Sequence, residues 1–238
     1  MIKRIEFVTR RTDVPAGRFP AVWRHVAAGA VDAPPGVRPS RVAVCTTLPD
    51  LTGPEPRHDG LAVEWFADAG HLRRFEGWLG GPGGLSRRAD RVADPVRSPV
   101  LVTEESVMRG SGWLDRRWRD GGEKLKHMAV AVRAAGLTPA EFSERWRGHS
   151  GRVGGSQGGQ QGGQAAIPDL VKGLAYVQNH PLPRVAWPYD AVNEVYFDDV
   201  AGLRARIEWF RENLPGPVRG DLFRESWFLA VREEVLSA

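Results

Sequence analysis

The chain has little of what usually decides a reading: one cysteine, four lysines and no long apolar run in 238 residues. Cys45 alone can form neither an internal disulfide nor a zinc site, and its place at the end of the apolar run Val42 to Cys45 predicts a buried thiol. No stretch reaches the 18 apolar residues that a membrane helix needs. The N-terminus, Met1-Ile2-Lys3-Arg4-Ile5-Glu6, meets charge at once and develops no secretory apolar core, so a cytoplasmic protein is expected. The lysines are Lys3, Lys124, Lys126 and Lys172, and the other basic residues are arginines scattered among acids, with a net charge of +4. No basic cluster or aromatic-basic interleaving reaches the density that tracking a phosphate backbone requires, and no nucleic-acid partner is expected. The histidines, His25, His58, His71, His127, His149 and His180, form no His-x-x-x-His or His-x-His pair. No metal site is expected from them.

What is present is a globular composition, with 42% hydrophobic residues, and a weak internal repeat. Ile2 to Arg11 matches Leu125 to Arg133, and the Phe19-x-x-x-Trp23 and Phe142-x-x-x-Trp146 pairs keep the same spacing of 123 residues. Asp59 to Phe66 then matches Asp190 to Phe197 at a spacing of 131. Much of the growth comes from Gly154 to Gln164, a Gly/Gln run with no apolar side chain to bury, expected to be a mobile loop. It lacks a Gly-Lys-Ser/Thr ending and is not read as a phosphate loop. In each half the periodicity runs strand, helix, strand, strand, helix, strand, the order of a ferredoxin-like βαββαβ module. The expected fold is α+β, with two tandem modules (1–109 and 123–238, joined by 110–122) forming one α+β barrel. In the second half, strands are expected near 125–133, 171–180, 190–197 and 224–232, and helices near 138–149 and 199–213. Thr138-Pro-Ala-Glu141 offers a capping box, and Asp198 and Asp199 can cap the later helix.

Strand alternation suggests which side chains line the enclosed space. In the strand from 125, Met128, Val130 and Val132 are read as facing the helices, leaving His127, Ala129, Ala131 and Arg133 inside. In the strand from 190, Val192, Glu194 and Tyr196 are read as interior; the strand before it adds Tyr176, Gln178 and His180. His149 is the leading acid-base candidate, because imidazole titrates near neutrality and the residue sits beside the Gly/Gln run. Its bland alternative is a helix C-terminal histidine. Glu194 is either a partner or base for His149, or the ion-pair partner of an arginine such as Arg133. His180 with Asn179 would hydrogen-bond a carbonyl or enolate oxygen, and Trp65 and Trp227 either pack in the core or wall the pocket.

The string Thr138-Pro-Ala-Glu-Phe142 with Trp146-x-x-His149, Tyr176-Val-Gln-Asn-His180 and Asp190-x-x-x-Glu194-x-x-Phe197 resembles the EthD family of the dimeric α+β barrel superfamily. The first half resembles it less closely: His25 is one residue nearer Trp23, no Tyr-Val-Gln-Asn-His follows, and Val63 stands where Glu194 would be. One working site, in residues 121–238, is therefore expected. The resemblance implies a cofactor-free barrel, whose relatives include dehydratases, decarboxylases, cyclases and monooxygenases acting on aromatic or polyketide-like compounds; some distant members of the superfamily bind haem. Together these readings point to a cofactor-independent lyase, dehydratase or cyclase with catalytic His149, Glu194 and His180. Asn179, Tyr176, Gln178, Tyr196, His127 and Trp227 would bind an aromatic or polyketide-like molecule. The alternatives are a cofactor-free monooxygenase, or a small-molecule binding protein without turnover. Either a monomer with an internal barrel or a homodimer is expected.

Overall fold

The computed structural model describes residues 1–82, 84–148, 167–183, 186–213 and 222–237. Its first half contains β1 (Ile2–Val8), α1 (Phe19–Ala28), β2 (Arg41–Thr47), a short α2 (Pro49–Thr52), β3 (Gly60–Phe66), α3 (Ala69–Gly80), a short α4 (Ser86–Ala89) and β4 (Val100–Arg109). Next comes α5 (Ser111–Asp120), then β5 (Gly122–Arg133), α6 (Pro139–Gly148), β6 (Ala175–Pro181), β7 (Ala191–Phe197), α7 (Val200–Asn213) and β8 (Phe223–Ser237). All eight strands close into one antiparallel barrel within the chain, in the order β1-β3-β2-β8-β5-β7-β6-β4. Closure leaves no strand edge unpaired, which removes the usual route to edge-to-edge aggregation. No helix among the described residues is long and apolar enough to cross a membrane.

The helices start where local chemistry allows. The Thr138 hydroxyl accepts from the Glu141 amide (3.3 Å) and the Glu141 carboxylate accepts from the Thr138 amide (2.8 Å), the reciprocal capping box expected before α6. Asp199 accepts from the Gly202 amide at 2.7 Å and caps α7, and Asp68 does the same for α3 through the His71 amide. Leu203 and Ile207 of α7 bury themselves against Val195 and Phe197 of β7, as their helical spacing predicts.

A few contacts recur at matched positions of the two halves. Phe19 stacks on Trp23 with ring centroids 6.2 Å apart, and Phe142 on Trp146 at 6.1 Å. The Arg10 amide donates to Asp59 while its guanidinium donates to the Val14 carbonyl; the Arg133 amide donates to Asp190 while its guanidinium donates to the Leu137 carbonyl. These three pairs of positions keep the spacings of 123 and 131 found in the sequence.

Residues 110–122, expected as a joint, instead contain helix α5, which lays Leu114, Arg117 and Trp118 over one end of the barrel. Gly110 makes this junction. Its backbone is left-handed (φ +79°), and a Cβ there would run into the Leu174 carbonyl and Ala175. The expected strand from 171 starts only at Ala175, because Gly173 turns the chain at φ +73° with no room for a side chain beside Val195.

Candidate functional site

Register decides which side chains face inward. Directly opposed residues of an antiparallel pair share a face. Glu194 opposes Met128 and Val177, and Val192 opposes Val130 and Asn179. The barrel interior is therefore made by Lys126, Met128 and Val130 of β5, Val177 and Asn179 of β6, and Val192, Glu194 and Tyr196 of β7. The β7 reading stands, but the β5 and β6 readings are reversed. His127 lies under α7, where its Nδ1 accepts from Arg206 Nε at 3.3 Å and its ring packs on Phe210 and Phe228. Burial, then Arg206, holds the His127 pKa well below its ordinary value. Tyr176 also lies on that outer face, accepting from Gln178 Nε2 at 3.1 Å. Ala131 packs on Phe142 and Trp146, while Met128 and Val130 join the barrel core. Each strand covers apolar layers on both faces, so alternation alone carries no phase.

Inside the barrel, at the end closed by α5, lies a buried ionic cluster. Glu194 accepts from Lys3 Nζ, Lys126 Nζ (2.9 Å), Asn179 Nδ2 (2.8 Å) and the Tyr196 hydroxyl (2.6 Å). Lys126 also pairs with Glu233, which Arg117 reaches from α5, and Lys3 reaches Glu105 at 3.3 Å. Lys3, Lys126, Glu194 and Glu233 are all fully buried. Burial pushes the Glu194 carboxyl up, but Lys126, Lys3 and its hydrogen bonds outweigh this and hold it well below the usual carboxylate range. A carboxylate so held is no proton acceptor near neutrality. The expected arginine partner is also replaced: Arg133 pairs with Asp190. The repeat carried a signal for this cluster, since Lys3 and Lys126 stand 123 residues apart and aim at the same carboxylate. Cys45 is buried as expected, with its thiol 3.7 Å from Glu233.

The opposite mouth of the barrel is plugged by rings. His58 Nε2 and the Tyr189 hydroxyl lie 2.6 Å apart, and His58 Nδ1 and the Thr9 hydroxyl 3.0 Å apart. Tyr189 packs edge-on against Phe7 and Trp227. Burial, with Arg57 and Arg97, lowers the His58 pKa to about 4, while burial pushes the Tyr189 phenol to about 12. Trp227 is half-buried in this plug; Trp65 is 1% exposed in the core and donates to Glu105 at 3.0 Å.

An accessible cavity of about 290 Å³ lies outside the barrel, between α6, the end of β6 and the segment leading into β7. Pro139, Pro181 and Trp187 give it apolar walls. Arg133, Arg147, Glu104 and Asp190 supply charge, and His180 stands among them. The imidazole is 5% exposed, packs edge-on against Trp146 at 4.9 Å, and its Nδ1 is buried with no hydrogen-bond partner among the described residues. Burial first and Arg147 second lower its pKa, with Glu104 acting in the opposite sense. The ring is thus held neutral, the form that accepts a proton. Glu104 is exposed on β4, so the cleft draws on the first half as well as on residues 121–238.

A counterpart cleft of about 220 Å³ lies at the equivalent seam, where β2 meets β8. There Thr46 opposes Arg232 as His180 opposes Glu104. Arg24, the repeat equivalent of Arg147, is tied to Glu234, and Arg232 pairs with Glu123 at 3.5 Å. Among the described residues, this cleft holds no histidine.

The candidate residues are therefore dispersed. Glu194, Asn179 and Tyr196 meet inside the barrel, Trp227 sits at its mouth, Tyr176, Gln178 and His127 lie on the α7 side, and His180 lies in the cleft. His149 and the run 154–164 lie outside the described residues. Among the described residues no group of three or more His, Cys, Asp or Glu could hold a metal ion.

No protein-family model matches the chain, and no curated protein matches it significantly. Among solved structures it is similar to a candidate monooxygenase from Lactobacillus acidophilus NCFM, at 10% identity over 100% of this chain and 97% of that one, with a TM-score of 0.48. It is also similar to two mutant forms of chlorite dismutase from Candidatus Nitrospira defluvii. These are 10% and 9% identical, cover 99% and 97% of this chain and 91% and 90% of theirs, and have TM-scores of 0.44 and 0.43.

Proposed function

We propose that the protein is a small-molecule enzyme of the proton-transfer type, working in the cleft between α6 and the end of β6. His180 is its base, and no cofactor is invoked in the step. One observation carries this reading. A buried imidazole whose Nδ1 has no hydrogen-bond partner among the described residues stands in the cleft of about 290 Å³, and the equivalent position in the second cleft is Thr46. A buried polar group without a partner calls for an explanation, and in a concave site a ligand supplies one. The imidazole would take a proton from a carbon adjacent to a carbonyl, leaving the electron pair to delocalise onto the carbonyl oxygen. That step begins eliminations and aldol-type cyclisations alike, so lyase, dehydratase and cyclase chemistry share it. The proline and tryptophan walls suit a flat, apolar body, consistent with an aromatic or polyketide-like substrate. His149, two residues after cleft-lining Arg147 in the sequence, keeps its place as a second proton-transfer group. The βαββαβ order of each half and the repeated Arg–Asp clamps support two ferredoxin-like copies joined in an EthD-type barrel.

The test is a mass-spectrometric comparison of a metabolite extract incubated with wild type, His180→Gln, His149→Ala or no protein. A compound consumed by wild type and spared by His180→Gln supports the assignment, and the mass change names the reaction. Equal consumption by His180→Gln and wild type removes His180 as the base. A compound that co-purifies unchanged with every form points instead to a binding protein without turnover.

A further inference from the structure

We propose that Glu104 is the positioning residue of this site, a carboxylate supplied by the first half of the chain that sets the protonation of His180. The site is then complete only where β4 and β6 meet. The inference rests on the reading of the cleft as a proton-transfer site and deepens it. Glu104 and His180 are directly opposed in the β4–β6 register, a relation that brings Cβ atoms to about 4.5–5.5 Å. Both line the same cleft, with Glu104 exposed at its rim and His180 buried.

The groups around the imidazole come from every neighbouring element. Arg147 comes from α6 along with the Trp146 ring, Arg133 from β5 is paired to Asp190 just before β7, and Glu104 comes from β4. Burial and Arg147 disfavour the imidazolium, and Glu104 favours it. The carboxylate matters most once the imidazole has taken its proton. The new cation then lies beside an anion already in place, so the acceptor becomes a stronger base without being charged beforehand. Only the proton moves in this step. Barrel closure does not itself demand such a pair, since the equivalent seam places Thr46 against Arg232.

The imidazole resonances of labelled protein can be followed against pH, His180 being identified by its loss in His180→Gln. Glu104→Gln should lower the His180 pKa, Glu104→Asp should restore much of it, and Arg232→Gln at the equivalent seam should leave it unchanged. Glu104 is exposed, and an unchanged melting temperature in each variant shows that folding is intact. A His180 titration that is the same in Glu104→Gln as in wild type overturns the proposal. The shift is read without substrate, so it can hold even where no compound is consumed; in that case the proton-transfer reading fails and the electrostatic coupling stands. Where turnover is found, Glu104→Gln should move the acidic limb of kcat/KM to lower pH.

Discussion

Replacing Glu194 by glutamine tests the ionic cluster most directly. The side chain accepts hydrogen bonds from two fully buried ammonium groups, an amide and a phenol, and the substitution removes the charge while nearly keeping the shape. Lys3 retains Glu105 and Lys126 retains Glu233. One positive charge is nevertheless left uncompensated where water does not reach. Breaking a buried ion pair from one side typically costs about 3–5 kcal/mol. In a chain of this length each kcal/mol shifts the melting temperature by about 2–4 °C, so Glu194→Gln should melt roughly 6–20 °C lower. Thermal and urea unfolding, followed by circular dichroism and by the fluorescence of the nine tryptophans, measure this. Adding Lys3→Met to Glu194→Gln should recover part of the loss, because it removes the orphaned charge. The acid limb supplies a second readout. Glu194 has a folded pKa below its unfolded value, so its contribution is present above about pH 4.3 and fades as pH falls below it. That part of the acid sensitivity should be missing in the variant. A melting temperature within 2 °C of wild type would refute the reasoning. Proton transfer in the cleft should survive at a temperature where the variant is folded, since Glu194 does not line it.

Two further outcomes follow from buried rings. Trp146 is 3% exposed against Phe142 and His180, and Trp146→Ala should cost about 3–5 kcal/mol in urea unfolding; a loss under 1 kcal/mol would contradict its place in the core. His58 has its pKa lowered from 6.5 to about 4 by burial and neighbouring arginines. The unfolded chain therefore binds the proton first, and up to about 3 kcal/mol of stability present above pH 6.5 is lost as pH falls toward 4. His58→Gln should flatten that limb relative to wild type, and an identical pH dependence in the two proteins would show that folding does not shift the His58 pKa.

Local rules were legible wherever neighbouring residues alone decide the outcome. The capping box at Thr138 and Glu141 and the α7 stripe of Leu203 and Ile207 form as their spacing predicts. Inward-facing residues were legible only on β7, where Val195 and Phe197 meet the helix side and turn Val192, Glu194 and Tyr196 inward. On β5 and β6 both faces are buried, one by the barrel and one by helices. Met128 and His127, or Gln178 and Asn179, then exchange places without changing the pattern.

The sequence by itself determined the order of elements, the two-fold internal repeat and the helix starts, because propensity, capping and periodicity act over a few residues. Tertiary structure alone decided that Lys3 and Lys126, far apart in the chain, would share Glu194, that the joint between the halves would become the helix that seals the barrel, and that His180 would face Glu104 of the other half. Each of these depends on strand register and on closure of the barrel. Register is settled by packing summed over all eight strands, a quantity that no local window of residues contains.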